Sequence, residues 1–410
     1  MFKQALIYQL SKLSGRLPLD LTVLHSDGGQ QRIGRGGTEI TLTIKHPSCY
    51  RRLVWDPVVG FGELYAEGAL EAASRTSPDP LFELLRAFFA LNFSKTLPNW
   101  AKTLVQLLRS DPRANDLRRS TKNVEVHYDA NDKIVREITG RTLTYSCAFF
   151  ADPRLDLDRA QDAKIAYLLH KARLTKGQRL LDIGCGYGEL VRQAAKYFGA
   201  RDALGITLSR EQFKTGDELV NAQGLSQRCR LKLIDWRDVN ESFDRIVSVG
   251  MYEHVGRQHW AEFFRKIGDL LADDGVFVLH TICTLSPMPM NRFITKYIFP
   301  GSRLPTIAEV VKAAESTGLI LRDFENLREH YAETVRHWLN ALRAKRDRLT
   351  RAVGEKRFRL FEVYLAGGRA SFMTPGGMQL GQFVFTKDKT DWPQNRAFML
   401  DWLKTPNQRA

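Results

Sequence analysis

Cysteine is scarce and scattered in this chain of 410 residues. Cys49, Cys147, Cys185, Cys229 and Cys283 form no Cys-x-x-Cys pair and are odd in number. That argues against a disulfide framework and a structural metal site, and for a reducing compartment. Also missing is any apolar run of membrane-spanning length. The amphipathic opening, Met1 to Leu13, is too short and too polar for a secretory signal. A cytoplasmic protein, soluble or peripheral to the inner face of the cell membrane, is therefore expected. Internal repeats and low-complexity tracts are absent too, which excludes repeat architectures.

Negative charge is in deficit, with 46 Asp and Glu against 61 Lys and Arg, a net charge of +15. Such a chain is drawn to polyanions, either nucleic acid or an anionic membrane surface. Basic residues are densest from Arg343 to Arg359, and a second cluster contains Arg113, Arg118, Arg119 and Lys122. A basic run is most often a solvated helix face. Charge alone does not choose between RNA and lipid.

What is present is an ordinary globular composition, 43% hydrophobic and 26% charged, long enough for two or three domains. Residues 1–115 read as a smaller α+β domain, for lipid or membrane binding or dimer contact. Its β-like runs Leu19–Leu24 and Glu39–Ile44 flank glycine-rich turns at Asp27-Gly-Gly and Gly34-Arg-Gly-Gly. Helical spacing follows from Gly62 to Ala73 and again over Leu81–Phe93, whose Phe and Leu positions cover most of a helix. Pro112 and the polar stretch Arg113–Lys122 read as a linker. Residues 116–410 form the larger domain. There, strands at Leu180–Ile183, Ala203–Ile206, Leu231–Ile234, Arg245–Val249 and Val276–Thr281 alternate with helices at Glu189–Phe198, Arg210–Ala222 and Trp260–Leu271. That alternation predicts an α/β, doubly wound, Rossmann-like parallel sheet with ligands at the carboxyl ends of its strands.

The most informative stretch is Arg179-Leu-Leu-Asp-Ile-Gly-Cys-Gly-Tyr-Gly188, a strand running into three alternate glycines and then a helix. Glycines there let backbone approach a ligand where a Cβ would collide. A nicotinamide fingerprint would space its glycines G-x-G-x-x-G and place an acid at the end of the next strand. Here the third glycine comes one residue early, and Leu204-Gly-Ile-Thr-Leu-Ser209 lacks the acid. The pattern fits the nucleoside loop of an S-adenosylmethionine-dependent class I methyltransferase.

Further segments fall at the same sheet edge: Asp235-Trp-Arg-Asp238, the strand exit Gly250-Met-Tyr-Glu-His-Val-Gly256, and Leu279-His-Thr-Ile-Cys283. Together with Tyr145-Ser-Cys-Ala-Phe-Phe150, Gly205-Ile-Thr-Leu-Ser-Arg-Glu-Gln212 and Lys296-Tyr-Ile-Phe-Pro-Gly-Ser-Arg-Leu-Pro305, they make the chain resemble the cyclopropane-fatty-acyl-phospholipid synthase family. The resemblance covers about residues 120–390, in the family's order, and is looser in the N-terminal part. The glycine loop is shared by many methyltransferases. Glu253-His254 and Tyr-Ser-Cys are more specific.

The resemblance implies methylene transfer from S-adenosylmethionine to the cis double bond of an unsaturated acyl chain in a phospholipid. An isolated alkene is a poor nucleophile, so a dry pocket must align it with the sulfonium methyl. Aromatic faces can steady the resulting cation. Tyr145, Phe149, Phe150, Trp236, Tyr252 and Tyr331 are the candidate rings, of which about half are expected near substrate and the rest in the core. Ring closure needs a base, which the resemblance implies is a bound bicarbonate held by Cys147, Glu253, His280, the backbone at Ile282, and Tyr331. Bicarbonate has donor and acceptor edges that such a set can satisfy. Glu253 and His280 would orient it, Cys147 would be a positional contact, and His254 a structural neighbour. For the cofactor the resemblance implies Tyr145, Ser146, Gly184, Gly186, Thr207, Leu208, Gln212, Trp236, Arg237 and Val249, with Asp182 steadying the loop. Trp236 stands where the family more often has Tyr, and Glu189 where it commonly has Gly. The segment Met288–Phe299 is either a lipid-facing lid or a packed loop.

A second reading keeps cofactor and lipid but ends in a methylene- or methyl-branched chain. An RNA methyltransferase, suggested by charge alone, would carry an Asn/Asp-Pro-Pro-Tyr-type motif after the fourth strand, and none stands there, so no nucleic-acid partner is expected. A non-enzymatic lipid scaffold would have no use for Cys147, Glu253, His280 and Tyr331. The expected partners are an unsaturated phospholipid, an anionic membrane surface and, from the family and the apolar Leu81–Phe93 helix, a second copy of the chain. No metal is expected.

Overall fold

The computed structural model describes residues 1–91 and 130–400. The polar linker, the basic cluster Arg113–Lys122, the boundary at residue 115 and the end of the Leu81–Phe93 helix lie outside the described residues. The chain divides into two units, one of Met1–Ser110, Pro289–Pro300 and Val335–Gly377, the other of Asp111–Met288, Gly301–Thr334 and Met378–Ala410. Two segments that the sequence reading assigned to the larger domain are thus counted with the N-terminal residues.

In the N-terminal unit, α1 (Phe2–Ser11) precedes β1 (Asp20–Leu24), β2 (Gln30–Gly34) and β3 (Glu39–Ile44); α2 (Cys49–Trp55), α3 (Pro57–Ala66), β4 (Leu70–Ala73) and α4 (Pro80–Ala90) follow. The strands order as β2-β1-β3-β4, with β1 and β3 parallel and the outer pairs antiparallel. The helix expected over Gly62–Ala73 is corrected: α3 ends at Ala66, Gly68 turns the chain at φ +73°, and Leu70–Ala73 pairs with β3. Apolar residues there serve a two-residue period on the sheet rather than a helical one. Helix α4 begins on the Asp79 cap and buries Leu81, Phe82, Leu84 and Ala87. It packs on the long helix Glu355–Met373 of the same unit, so its apolar face is spent within the chain and gives no argument for self-association.

The second unit carries β5 (Arg179–Ile183), β6 (Asp202–Thr207), β7 (Cys229–Leu233), β8 (Phe243–Val249), β9 (Leu271–Cys283), β10 (Ile320–Asn326) and β11 (Gln379–Thr386) in the order β10-β11-β9-β8-β5-β6-β7. Strands β5 to β9 are parallel, and β11 runs antiparallel to both β9 and β10. This is the class I methyltransferase fold, with its order reversing beside β5. Ligands of such sheets sit at the strand ends where the order reverses. Neighbouring residues serve opposite faces: Leu181 and Ile183 join one core cluster, Leu180 the other. A sheet covered on both sides reads as nearly continuous apolar sequence, as these strands do. Phe263, Phe264, Phe277, Phe383 and Phe385 are fully buried in the first cluster, each contributing roughly 1.5–3 kcal/mol by burial.

The helices start on caps that the sequence carries. Asp156 caps α5 (Leu157–Lys171), Ser209 caps α7 (Arg210–Ala222), and between them α6 (Glu189–Tyr197) springs from the glycine loop. Strands β10 and β11 were not anticipated. Strand β11 pairs with β9 about a hundred residues away, β10 pairs with β11, and long-range pairing leaves no local pattern.

Candidate active site

Asp182 is buried one residue before the end of β5, and the chain then turns through Gly184 and Gly186. The two glycines serve different ends. Gly184 has φ +83°, and a Cβ there would lie 2.6 Å from the Met251 Cβ. Gly186, at φ +56°, faces nothing within 4 Å, leaving its backbone open to the cavity beyond. Gly184 and Cys185 N–H both donate to the Ile206 carbonyl, at 3.0 and 2.9 Å, which ties the loop to β6.

That cavity and its solvent-open mouth together span about 1190 Å³. Its lining contains each cofactor residue named from the sequence: Tyr145, Ser146, Asp182, Gly184, Gly186, Thr207, Leu208, Gln212, Trp236, Arg237 and Val249. Thr207 Oγ1 donates to Gln212 Oε1 at 2.9 Å, at the end of β6. Asp235 accepts from the Arg237 backbone and guanidinium at 3.0 and 2.9 Å, and Arg237 lies over the Trp236 ring at 4.2 Å. Burial pushes the Asp182 carboxyl up to about 7, against the pull of Lys164. Asp182 Oδ1 has no protein partner. An unanswered acid beside an apolar wall of Ile206, Leu208 and Trp236 suits the hydroxyls and flat base of a nucleoside, so the residues present fit S-adenosylmethionine.

Cys147, Glu253, His280, Ile282 and Tyr331 do not line that cavity but are linked to its wall and to one another. Ser146 and Met251, both lining, adjoin Cys147 and Tyr252-Glu253 in the chain, and Gly250 N–H donates to the His280 carbonyl at 2.8 Å. Ile282 N–H donates to Glu253 Oε1 at 2.7 Å. Cys147 shares a buried cluster with Ile282 and Tyr331. His280 and Ile282, two apart on β9, share one side of the strand. Glu253 Oε2 and His280 Nε2 are buried without a protein partner. Burial raises the Glu253 carboxyl to about 7 and holds the His280 imidazole well below its usual range, hence neutral. It also pushes the Cys147 thiol up, so no thiolate nucleophile forms there. The two unpartnered atoms, one on a carboxyl and one on an imidazole, are of the polar kinds that a small oxyanion such as bicarbonate can meet.

The remaining candidates fall in several places. Tyr252 is wholly buried among Trp260, Phe263 and Phe264 and is a core ring. Phe149 and Phe150 pack on His330; of the six rings, Tyr145 and Trp236 face the cavity. His254 lines the cavity as well, its imidazole lowered to about 4 by burial. Glu189, the departure at the helix entry, pairs with Arg192 and accepts from Gln193 at 2.9 Å. Segment Met288–Phe299 packs through a buried Phe293, with Arg292 on Asp56 and Lys296 on Glu63. The basic run Arg343–Arg359 is largely engaged inside its own unit: Arg343 binds Asp79 and Glu362, Arg346 binds Glu355, and Arg359 donates to the Tyr65 and Leu70 carbonyls.

Sequence reading missed Lys164, Lys171 and Gln382. Lys164 lines the cavity, donates to Ser146 Oγ at 2.9 Å, and is lowered to about 8 by burial. A signal existed: Ala160, Lys164, Tyr167 and Lys171 recur at helical spacing and are all buried, so two lysines stand on the core stripe of α5.

Among the described residues no helix is long and apolar enough to cross a membrane, and no group of three or more His, Cys, Asp or Glu could hold a metal ion. Residues 115–383 match the family model for mycolic acid cyclopropane synthetase. A probable fatty acid methyltransferase of Pseudomonas putida is 32% identical over 94% of this chain and 96% of its own. The cyclopropane-fatty-acyl-phospholipid synthase of Escherichia coli is 29% identical over 86% and 89%. The solved mycolic acid cyclopropane synthase CmaA1 complexed with SAH and CTAB superposes with a TM-score of 0.62 at 35% identity, covering 65% of this chain and 98% of that one. With this fold, that nucleoside cavity and these relatives, the chain belongs to the mycolic acid cyclopropane synthetase family of S-adenosylmethionine-dependent methyltransferases.

Proposed function

We propose that the protein converts the cis double bond of an unsaturated phospholipid acyl chain into a cyclopropane, with bicarbonate as the base. The observation that carries this reading is the pair of buried, unanswered atoms, Glu253 Oε2 and His280 Nε2, behind the wall of the nucleoside cavity. When bound, S-adenosylmethionine supplies an electrophilic methyl and bicarbonate a proton acceptor. Cavity residues Asp182, Thr207, Gln212, Trp236 and Arg237 would hold the nucleoside, and Gly186 would let backbone come close. Glu253, fixed by the Ile282 N–H, would keep Oε2 aimed at the anion, and neutral His280 would meet it without competing for its proton. Cys147 and Tyr331 would complete the anion's contacts. Their buried surroundings keep water from the reacting carbon. The relative from Escherichia coli, by name a phospholipid synthase, supports the lipid class. We further propose peripheral attachment at the anionic inner face of the cell membrane, on the strength of the net charge of +15, and a homodimer, which rests on the family resemblance and not on α4.

The name of the Pseudomonas putida relative, a fatty acid methyltransferase over nearly the whole chain, favours a second reading in which the product is methylene- or methyl-branched. Mass spectrometry of lipids from cells expressing the protein tests both. A gain of one CH2 with loss of alkene reactivity bears out the cyclopropane. Retained unsaturation moves the conclusion to the branched product, and unchanged lipids overturn both.

A further inference from the structure

His280 lies in a polar row that crosses three strands. On β10, β11 and β9 the register sets Glu325 opposite Gln382 and Gln382 opposite His280. Lys171, from the core stripe of α5, reaches the same row. Its ammonium contacts Glu325 Oε2, donates to Gln382 Oε1 at 2.8 Å and lies 4.0 Å from Asp323. Tyr167 adds a donated bond to Glu325 Oε2 at 2.8 Å. Gln382 Nε2 then stands 3.0 Å from His280 Nδ1. Lys171, Gln382 and His280 are at most 1% exposed, so solvent does not arbitrate among them.

The chemistry of the row allows one arrangement of protons. An ammonium has donors and no acceptor, so the Gln382 amide must turn its oxygen to Lys171. Burial lowers the Lys171 ammonium, and the adjoining carboxylates of Glu325 and Asp323 work against that lowering. The other end of the amide is then NH2, which only donates. His280 Nδ1 must therefore accept, and a neutral imidazole with a lone pair on Nδ1 carries its proton on Nε2. Nε2 is the atom that has no protein partner.

We propose that Lys171 and Gln382 are positioning residues that hold His280 as its Nε2–H tautomer, so that Nε2 presents a hydrogen-bond donor to the anion bound in the Glu253 cluster. The inference rests on the anion reading given above for what Nε2 meets, but not for where the proton sits. A lone pair on Nε2 could instead meet only the anion's single O–H, and would face its other oxygens lone pair to lone pair. The row makes an otherwise ambiguous ring a one-way donor.

Nitrogen-15 NMR of the full chain labelled at histidine reads the tautomer directly, with the His280 signals assigned by their loss in His280→Asn. The expected result is a pyridine-like shift at Nδ1 and a pyrrole-like shift at Nε2. Gln382→Glu replaces the donor with an acceptor that Lys171 can still pair with, and should move the proton to Nδ1. It should also raise the bicarbonate concentration for half-maximal turnover about ten- to hundredfold, the worth of one bond to a charged group, with S-adenosylhomocysteine affinity unchanged within about twofold. A pyrrole-like Nδ1 in the wild-type protein overturns the proposal whether or not the variant folds, and so does an unmoved tautomer in folded Gln382→Glu. If Nδ1 is pyridine-like but Nε2 does not respond to bicarbonate, the tautomer assignment stands and the anion reading falls.

Discussion

In the cavity at the ends of β5, β6 and β8, most polar side chains answer one another: Thr207 with Gln212, Asp235 with Arg237, Lys164 with Ser146. In the cluster at the end of β9, Glu253 and His280 each spend one polar atom on the protein and bury the other with no partner. An unanswered buried polar atom costs about 1–3 kcal/mol. The cavity has unanswered atoms of its own, Asp182 Oδ1 and Thr142 Oγ1, but they stand beside side chains that are already paired. The cluster carries its cost on two adjacent elements, as expected where a small charged guest completes the set.

The comparison breaks most visibly at Glu253. Glu253→Gln should lower turnover by about a thousandfold, within the range of a lost acid–base or charge-stabilising group, while S-adenosylhomocysteine binding by calorimetry moves less than about twofold. Equal losses in both would merge the two regions into one nucleoside site.

The pH dependence of stability sharpens the same contrast. Burial lifts Glu253 from 4.5 to about 7, so between those values the folded protein keeps a proton that the unfolded chain releases. Stability therefore falls as pH rises through that window. Glu253→Gln removes the loss, and urea titrations should find it about 2–3 kcal/mol more stable than wild type at pH 8 but nearly equal at pH 4. A constant difference at both pH values would mean that the carboxyl is not desolvated.

On the cavity side, Asp182→Asn should weaken S-adenosylhomocysteine binding roughly tenfold or more, the loss of an acceptor for a buried donor. A smaller change would leave Asp182 as loop scaffolding. The two glycines give the finest test. Gly186→Ala meets open space and should cost about 1–2 kcal/mol of left-handed strain. Gly184→Ala adds a clash with Met251, for about 1–3 kcal/mol more in thermal or urea unfolding.

The cavity was legible because its residues belong to short segments that each carry a local rule. Glycine spacing, a strand end and helical apolar spacing predict a turn, a ligand edge and a helix. The cluster residues were found by resemblance instead, since nothing local distinguishes His280 from any histidine in a strand. Which rings would be core was not legible: a short helical turn sends Tyr252, beside Glu253, into the core with Trp260 and Phe263. Aromatic content does not say which way a loop residue points.

By itself the sequence determined the parallel half of the sheet, the glycine turn and the helices between the strands, because those follow from period and chirality within a few residues. The tertiary structure decided that β10 and β11 complete the sheet, that α4 spends its apolar face on the helix Glu355–Met373, and that Lys171, Gln382 and His280 stand in one row. The reason is physical. Register between strands a hundred residues apart is set by burial and hydrogen bonding across the sheet, and a histidine's proton follows the donors that this register brings to it.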